Sequence, residues 1–180
     1  MEAHNKREAL RDMITNITGI ATIFDTRRVD IYDENANVDK FLNLEAVKEA
    51  MSAHPDLNYV SCNKVVGEKM AADTMQSVKH LLPDVLEHIP VLLYQGQYDI
   101  LDGPASSMAW INTLEWPGRQ ALLDDPGKLW RHKDVVAGWL RQAGNLDHVV
   151  VYRAGHMVPH DQPTATKDML NTWTQNVLSP

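Results

Sequence analysis

Apolar positions along the chain follow two different rhythms. Through residue 89 the spacing is mostly helical. Leu10, Met13, Ile14 and Ile17 recur on one face, and Gly19 suits the left-handed residue that ends a helix. The stretch DIYDENANVDK is polar and reads as a loop. FLNLEAVKEAM follows as a short helix with Asn43 as its N-cap and His54-Pro55 beyond its end. Helical spacing returns from Val65 to Ile89, where Pro83 is expected to divide two helices.

From residue 90 the pattern changes. Val91–Tyr94 is an unbroken apolar run ended by Gly96, as in a strand buried on both faces. GPASSMAWINTL then predicts a helix with Pro104 in its first turn and Met108, Ile111 and Leu114 along one side. The segment around Val135, Val136, Trp139 and Leu140 fits a helix, yet Gly144-Asn145 also fits a hairpin turn before a strand at Val149–Tyr152. Pro163–Val177 predicts a last amphipathic helix with Met169, Trp173 and Val177 on one face. Strands that run into polar loops and then helices predict an α/β sheet, whose ligand sites lie at the carboxyl ends of strands.

A length of 180 residues suits one domain, mostly helical over 1–89 and sheet-forming over 90–180. A net charge of −7, with no basic cluster, argues against nucleic-acid binding. No apolar run reaches the ~20 residues of a membrane span. The N-terminal stretch, broken by Thr15, Asn16 and Thr18, lacks the apolar core of a signal peptide. Cys62 is the single cysteine, so no internal disulfide forms. That fits a reducing compartment, and equally a chain whose leader and partner cysteine lie upstream.

Two loops carry candidate chemistry. Asp99 follows the strand at Val91–Tyr94, and His156 follows the strand at Val149–Tyr152. A carboxylate that accepts a hydrogen bond from one imidazole nitrogen fixes the tautomer, and the other nitrogen can then take a proton from a nucleophile. In an α/β-hydrolase these residues occupy loops after strands in the order Ser, acid, His. Gly155 is expected to turn the backbone sharply before His156, and Pro159 to stiffen the backbone after it. Taken singly, Asp99 is more simply a turn residue and His156 a structural one. His156 and His160 have the spacing of a metal pair, but Pro159 between them argues against the shared helix face such a pair needs, so no metal site is expected. Asn16-Ile17-Thr18 forms a glycosylation sequon and reads more simply as helix-end polarity. Trp110, Trp116 and Trp130 are expected to pack, and Asp33-Glu34 and Asp124-Asp125 to be solvated loops.

The residues around this pair resemble the serine carboxypeptidase family, particularly its plant branch. VLLYQGQYD is similar to the family's strand and turn bearing the catalytic aspartate, and AGHMVPHDQP to its catalytic-histidine loop. WINTLEWPG, GNL, FLNLEAVKEAM, VSCN and NITGIATIFDTRR also match, so the resemblance runs through the whole chain. It implies the C-terminal part of an α/β-hydrolase fold, preceded by the end of a helical insertion, with Val135–Ala143 as a strand. It implies Asp99 as the acid, His156 as the base and Met157 at the border of the substrate site. It also implies a peptide substrate, no cofactor, and a secreted or vacuolar location. Cys62 matches a disulfide cysteine whose partner would be upstream.

The family's serine lies in a Gly-Glu-Ser-Tyr-Ala-Gly elbow, and none of Ser52, Ser61, Ser77, Ser106, Ser107 and Ser179 stands in a G-x-S-x-G context. The nucleophile is therefore unassigned, and a missing N-terminal chain or segment is an expected partner. Loss of a serine protease's nucleophile costs about 10⁶ in kcat. The chain by itself is accordingly expected not to turn over peptides. Acyl transfer, hydroxynitrile lysis or a non-catalytic truncated binding protein are the alternatives.

Overall fold

A computed structural model describes residues 2–32 and 35–178. Asp33-Glu34 and Ser179 lie outside the described residues. The chain clusters into two compact units, one of residues through Gly19 together with Val29–Gln76, the other of Ile20–Arg28 and the residues from Ser77 onward. The change in composition near residue 90 therefore does not coincide with the division into units. Residues 77–89 and a nine-residue segment from the helical half group with the sheet.

The first unit is helical: α1 (Glu2–Thr18), α2 (Asn35–Leu42), α3 (Glu45–Ala50) and α4 (Lys64–Thr74). Gly19 ends α1 at φ 70° and donates its N–H to the Thr15 carbonyl at 2.9 Å. The second half of the stretch read as a loop is instead α2, whose Val38, Phe41 and Leu42 supply an apolar stripe too short to stand out. Asn43 is not the N-cap of α3, which is Leu44; it follows α2 and gives its N–H to the Asp39 carbonyl of that helix. Its amide nitrogen donates to the Asp39 and Tyr59 carbonyls at 2.7 and 2.8 Å, and its oxygen accepts the Tyr59 N–H at 2.8 Å. The capping asparagine is Asn63, which accepts the Val66 N–H at the start of α4.

The second unit opens with Ile20–Arg28 and resumes at a 3₁₀ turn (Lys79–Leu81) and α5 (Leu82–His88). Helix α4 stops at Thr74, so the break in the Val65–Ile89 pattern comes earlier than Pro83. Pro83 lies in the first turn of α5, where a missing N–H has no helical partner to lose. There follow β1 (Val91–Gly96), α6 (Pro104–Ile111), α7 (Arg119–Asp124), β2 (Lys128–His132), β3 (Val135–Ala143), β4 (Leu146–Val151), α8 (Val158–Asp161) and α9 (Pro163–Leu178).

The four strands form one sheet in the order β1-β4-β3-β2. β1 runs parallel to β4, while β4, β3 and β2 pair antiparallel. Strand alternation sorts the side chains into two layers. Leu146 and Ala143 face a cluster with Leu86, Ile111, Leu114 and Leu122 from α5 to α7, against which Trp110 and Trp116 also pack. Val149 and Val151 face Val158 and Met169 of α8 and α9, joined by Leu92, Tyr94, Trp130 and Leu140.

Val135–Ala143 is a strand, so its helical spacing is overridden. It pairs on both sides, and Gly144 at φ 50° turns it tightly into β4. β1 is not buried on both faces. Among the described residues it pairs only with β4, and Val91–Gln95 are half-buried. Asp125 is more than a solvated loop residue, because its carboxylate accepts the N–H groups of Gly127 and Gln142 at 2.9 and 2.8 Å. These two bonds hold its carboxyl below the usual range.

Candidate active site

Parallel pairing of β1 and β4 brings their carboxyl ends side by side. Backbone bonds extend the pairing past both strands, from Gln97 N–H to the Val151 carbonyl and from Tyr98 N–H to the Ala154 carbonyl, each 2.9 Å. The loops that follow are thus in register before any side chain meets another. Gly96 and Gly155 allow the approach. A Cβ on Gly96 would collide with the Gly155 carbonyl oxygen, and one on Gly155 would lie 2.5 Å from the Phe24 carbonyl oxygen and 2.6 Å from Asp25 Cβ. Gly155 is therefore required by close packing. Its φ is not positive; the left-handed residue of this loop is Arg153, at φ 58°.

Asp99 and His156, 57 residues apart, meet at 2.8 Å between Oδ2 and Nδ1. The Asp99 side chain is 3% exposed. Its other oxygen accepts the N–H groups of Leu101 and Asp102 at 2.9 and 3.3 Å. An ionised carboxylate can only accept, so the proton in the Asp99–His156 bond belongs to Nδ1. Nε2 of the neutral ring then carries the lone pair, on a side chain that is 34% exposed. His156 is fixed through its backbone as well, since its N–H donates to the Phe24 carbonyl at 2.7 Å. The Phe24 ring lies 5.1 Å from the imidazole centroid, tilted by 43°. Such an arrangement can orient an imidazole so that Nε2 accepts a proton.

Met157 comes directly after His156, 48% exposed, and as the N-cap of α8 its carbonyl accepts the N–H groups of His160 and Asp161. Pro159 falls in the first turn of that helix, so it begins a helix where the sequence argued against one. His156 precedes the helix and does not share a face with His160, which is 3.1 Å from Asp161 Oδ1. The groups that do converge are Asp99, His156 and the exposed Asp102, whose carboxylate is 3.9 Å from Nδ1. The hydroxyls of Ser106 and Ser107, the serines nearest Asp99 in the chain, donate to the carbonyls of Gly103 and Asp102. Among the described residues no serine hydroxyl is bonded to His156.

A sequence profile of the serine carboxypeptidases matches residues 11–176. The chain belongs to the serine carboxypeptidase family. It is 36% identical over 173 residues to serine carboxypeptidase-like 50 of Arabidopsis thaliana, covering 96% of this chain and 39% of that protein. It is also 36% identical to the probable serine carboxypeptidase CPVL of Dictyostelium discoideum, covering 94% and 34% respectively. The crystal structure of Kex1(delta)p, a prohormone-processing carboxypeptidase from Saccharomyces cerevisiae, superposes with a TM-score of 0.72 at 23% identity, covering 87% of this chain and 36% of that one. The fold is therefore the C-terminal part of a serine carboxypeptidase α/β-hydrolase sheet. The chain spans between a third and two fifths of the length of these relatives. No helix among its described residues is long and apolar enough to cross a membrane.

The family resemblance took in Ile20–Arg28, within NITGIATIFDTRR, but assigned it no role; the segment lies against both loops. Asp25 is 2% exposed and is held by a two-pronged bond from Arg27, Nε to Oδ1 at 2.9 Å and Nη2 to Oδ2 at 2.5 Å. Burial pushes the Asp25 carboxyl up, but the hydrogen bonds and charge of Arg27 outweigh it and leave the group below its ordinary value. The signal available in FDTRR was an acid two residues before an arginine, a pattern too common to stand out by itself.

Proposed function

We propose that this chain supplies the general base and its orienting acid to a serine-type carboxypeptidase. The observation that carries the reading is the 2.8 Å Asp99–His156 bond at the carboxyl ends of two parallel strands, inside a chain of this family. His156 Nε2 takes the serine proton as the hydroxyl attacks the scissile carbonyl, and Asp99 stabilises the imidazolium that forms. His156 then returns the proton to the departing amino acid. The acyl-enzyme is hydrolysed by water that the same imidazole activates. Met157, exposed beside the base, borders the site for the peptide's C-terminal residue. The nucleophile and the oxyanion donors come from a portion of the enzyme outside these 180 residues. The compartment proposed is the secretory route or vacuole, on the strength of the family.

The test is reaction of the purified chain with a fluorophosphonate, followed by intact mass and a blocked-dipeptide assay. The expected result is no adduct and no turnover by the chain, with both gained when the serine-bearing portion of a relative is co-expressed with it. A single adduct on one serine of the chain alone would refute the placement of the nucleophile elsewhere. Failure of co-expression to produce activity dependent on His156 would refute the carboxypeptidase reading.

A further inference from the structure

We infer that Ile20–Arg28 acts as a strap that aligns the two catalytic loops, with Asp25, Arg27 and Asp161 as positioning residues for His156. The inference rests on the proposed base role of His156. It starts from where the backbone bonds go. The strap takes the Ile100 N–H on its Ile23 carbonyl at 2.9 Å and gives its Thr26 N–H to the Tyr98 carbonyl at 3.1 Å, so it grips the Asp99 loop on both sides of that residue. From the same strap the Phe24 carbonyl accepts the His156 N–H at 2.7 Å. Acid and base loops are thus referenced to one short segment as well as to each other.

Side chains lock the strap in place. Arg27 forks onto Asp25, directly after Phe24, and its Nη1 donates to the Arg153 carbonyl at 3.0 Å in the histidine loop. Its Nη2 lies 3.4 Å from Asp161 Oδ2, the oxygen that accepts the Gly155 N–H at 2.7 Å. The guanidinium also covers the Tyr98 ring at 4.5 Å, beside Asp99. The backbone amides of Gly155 and His156 are therefore both held by acceptors that Arg27 organises. One guanidinium answers two carboxylates whose side chains are 3% and 9% exposed, and the remaining Asp161 oxygen lies 3.1 Å from His160 Nδ1. A shift of about 1 Å between the loops takes a 2.8 Å bond out of hydrogen-bonding range, and displacement on that scale is costly in catalysis.

The test observes the His156 ring directly and needs no nucleophile. In the ¹⁵N-labelled chain, the Nδ1 proton shared with Asp99 should give a low-field resonance that exchanges slowly with water and is absent from His156→Ala. Arg27→Gln should lose that resonance at a temperature where circular dichroism shows it folded, and Arg27→Lys should restore it in part. Leu122→Ala, which weakens the core away from the strap, should keep the resonance despite a lower Tm. If Arg27→Gln does not fold, Asp161→Ala, which removes the acceptor for Gly155 and one of the two carboxylates that Arg27 holds, carries the same expectation. A wild-type resonance in folded Arg27→Gln or Asp161→Ala overturns the strap. Equal loss in Leu122→Ala also overturns it, because the signal then follows stability alone. A wild-type chain with no such resonance overturns the Asp99–His156 dyad itself, and the strap's role with it.

Discussion

His148 makes the stability of the sheet unit depend on mild acid. It stands on β4 with no exposed surface, paired across the sheet with Arg141 of β3. Its Nε2 bonds to the Gln95 side-chain oxygen at 2.8 Å, and its Nδ1 has no protein partner. Burial, with Arg141 beside it, pushes the imidazole down to about 4. The unfolded chain titrates near 6.5, so between these values it binds more protons than the folded chain. Stability from the neutral ring is full above about pH 6.5 and is lost as pH falls toward 4. A gap of about 2.5 pH units corresponds to about 3 kcal/mol in total, of which about 2 kcal/mol is lost between pH 7 and pH 5. His148→Gln keeps a donor for Gln95 but cannot titrate. In urea unfolding at both pH values, wild type should lose about 2 kcal/mol more than the variant. Groups that titrate in both proteins cancel in that difference. Equal losses would refute the buried neutral imidazole.

Three further outcomes are expected from the packing and the site. Gly155→Ala places a methyl against the Phe24 oxygen and Asp25 Cβ and should cost about 1–3 kcal/mol in urea unfolding; unchanged stability would mean the strap does not press on this loop. Leu146→Ala empties a position with no exposed surface and should cost about 2–5 kcal/mol, whereas Leu129→Ala, at 57% exposure, should stay within about 0.5 kcal/mol, and similar costs would contradict the assigned register of β4. In a co-expressed enzyme with a functional serine, Asp99→Asn should lower kcat by about 10⁴; a loss under tenfold would show that Asp99 does not set the tautomer of His156.

The parts legible in the sequence are those governed by local chemistry. The apolar run at Val91 forms a strand, though one half-buried, and the periodic face read over Pro163–Val177 forms a helix. Asp99 and His156 were readable because each follows a strand, and the sheet then brings them together. What failed depended on distant neighbours. β3 has helical spacing, and the strand it forms by pairing on both sides was implied by the family resemblance alone. β2 and α7 carry no clear period; Asp124, read as a loop residue, ends α7, and β2 is shaped by a register shift at Trp130/Arg131. Asn43, a plausible cap from sequence, bonds instead to Tyr59, 16 residues away. The strap was hidden for the same reason. Asp25 is buried only because a loop about 130 residues later folds over it, and a local window cannot register that.

These placements also explain how the Asp99–His156 pair is held by partners within the sheet unit. Asp99 needs two backbone N–H groups of its own loop, and His156 needs Asp99 together with the strap. Each of those partners lies within one unit of this chain. A serine elbow needs a strand and helix of its own to hold a strained turn, and an oxyanion hole needs donors aimed at a single point. Orientation of the base and presentation of the serine are thus separable tasks in this fold. On the proposed role the first is met around His156: Nδ1 is bonded to Asp99, which leaves Nε2 for a serine brought to it.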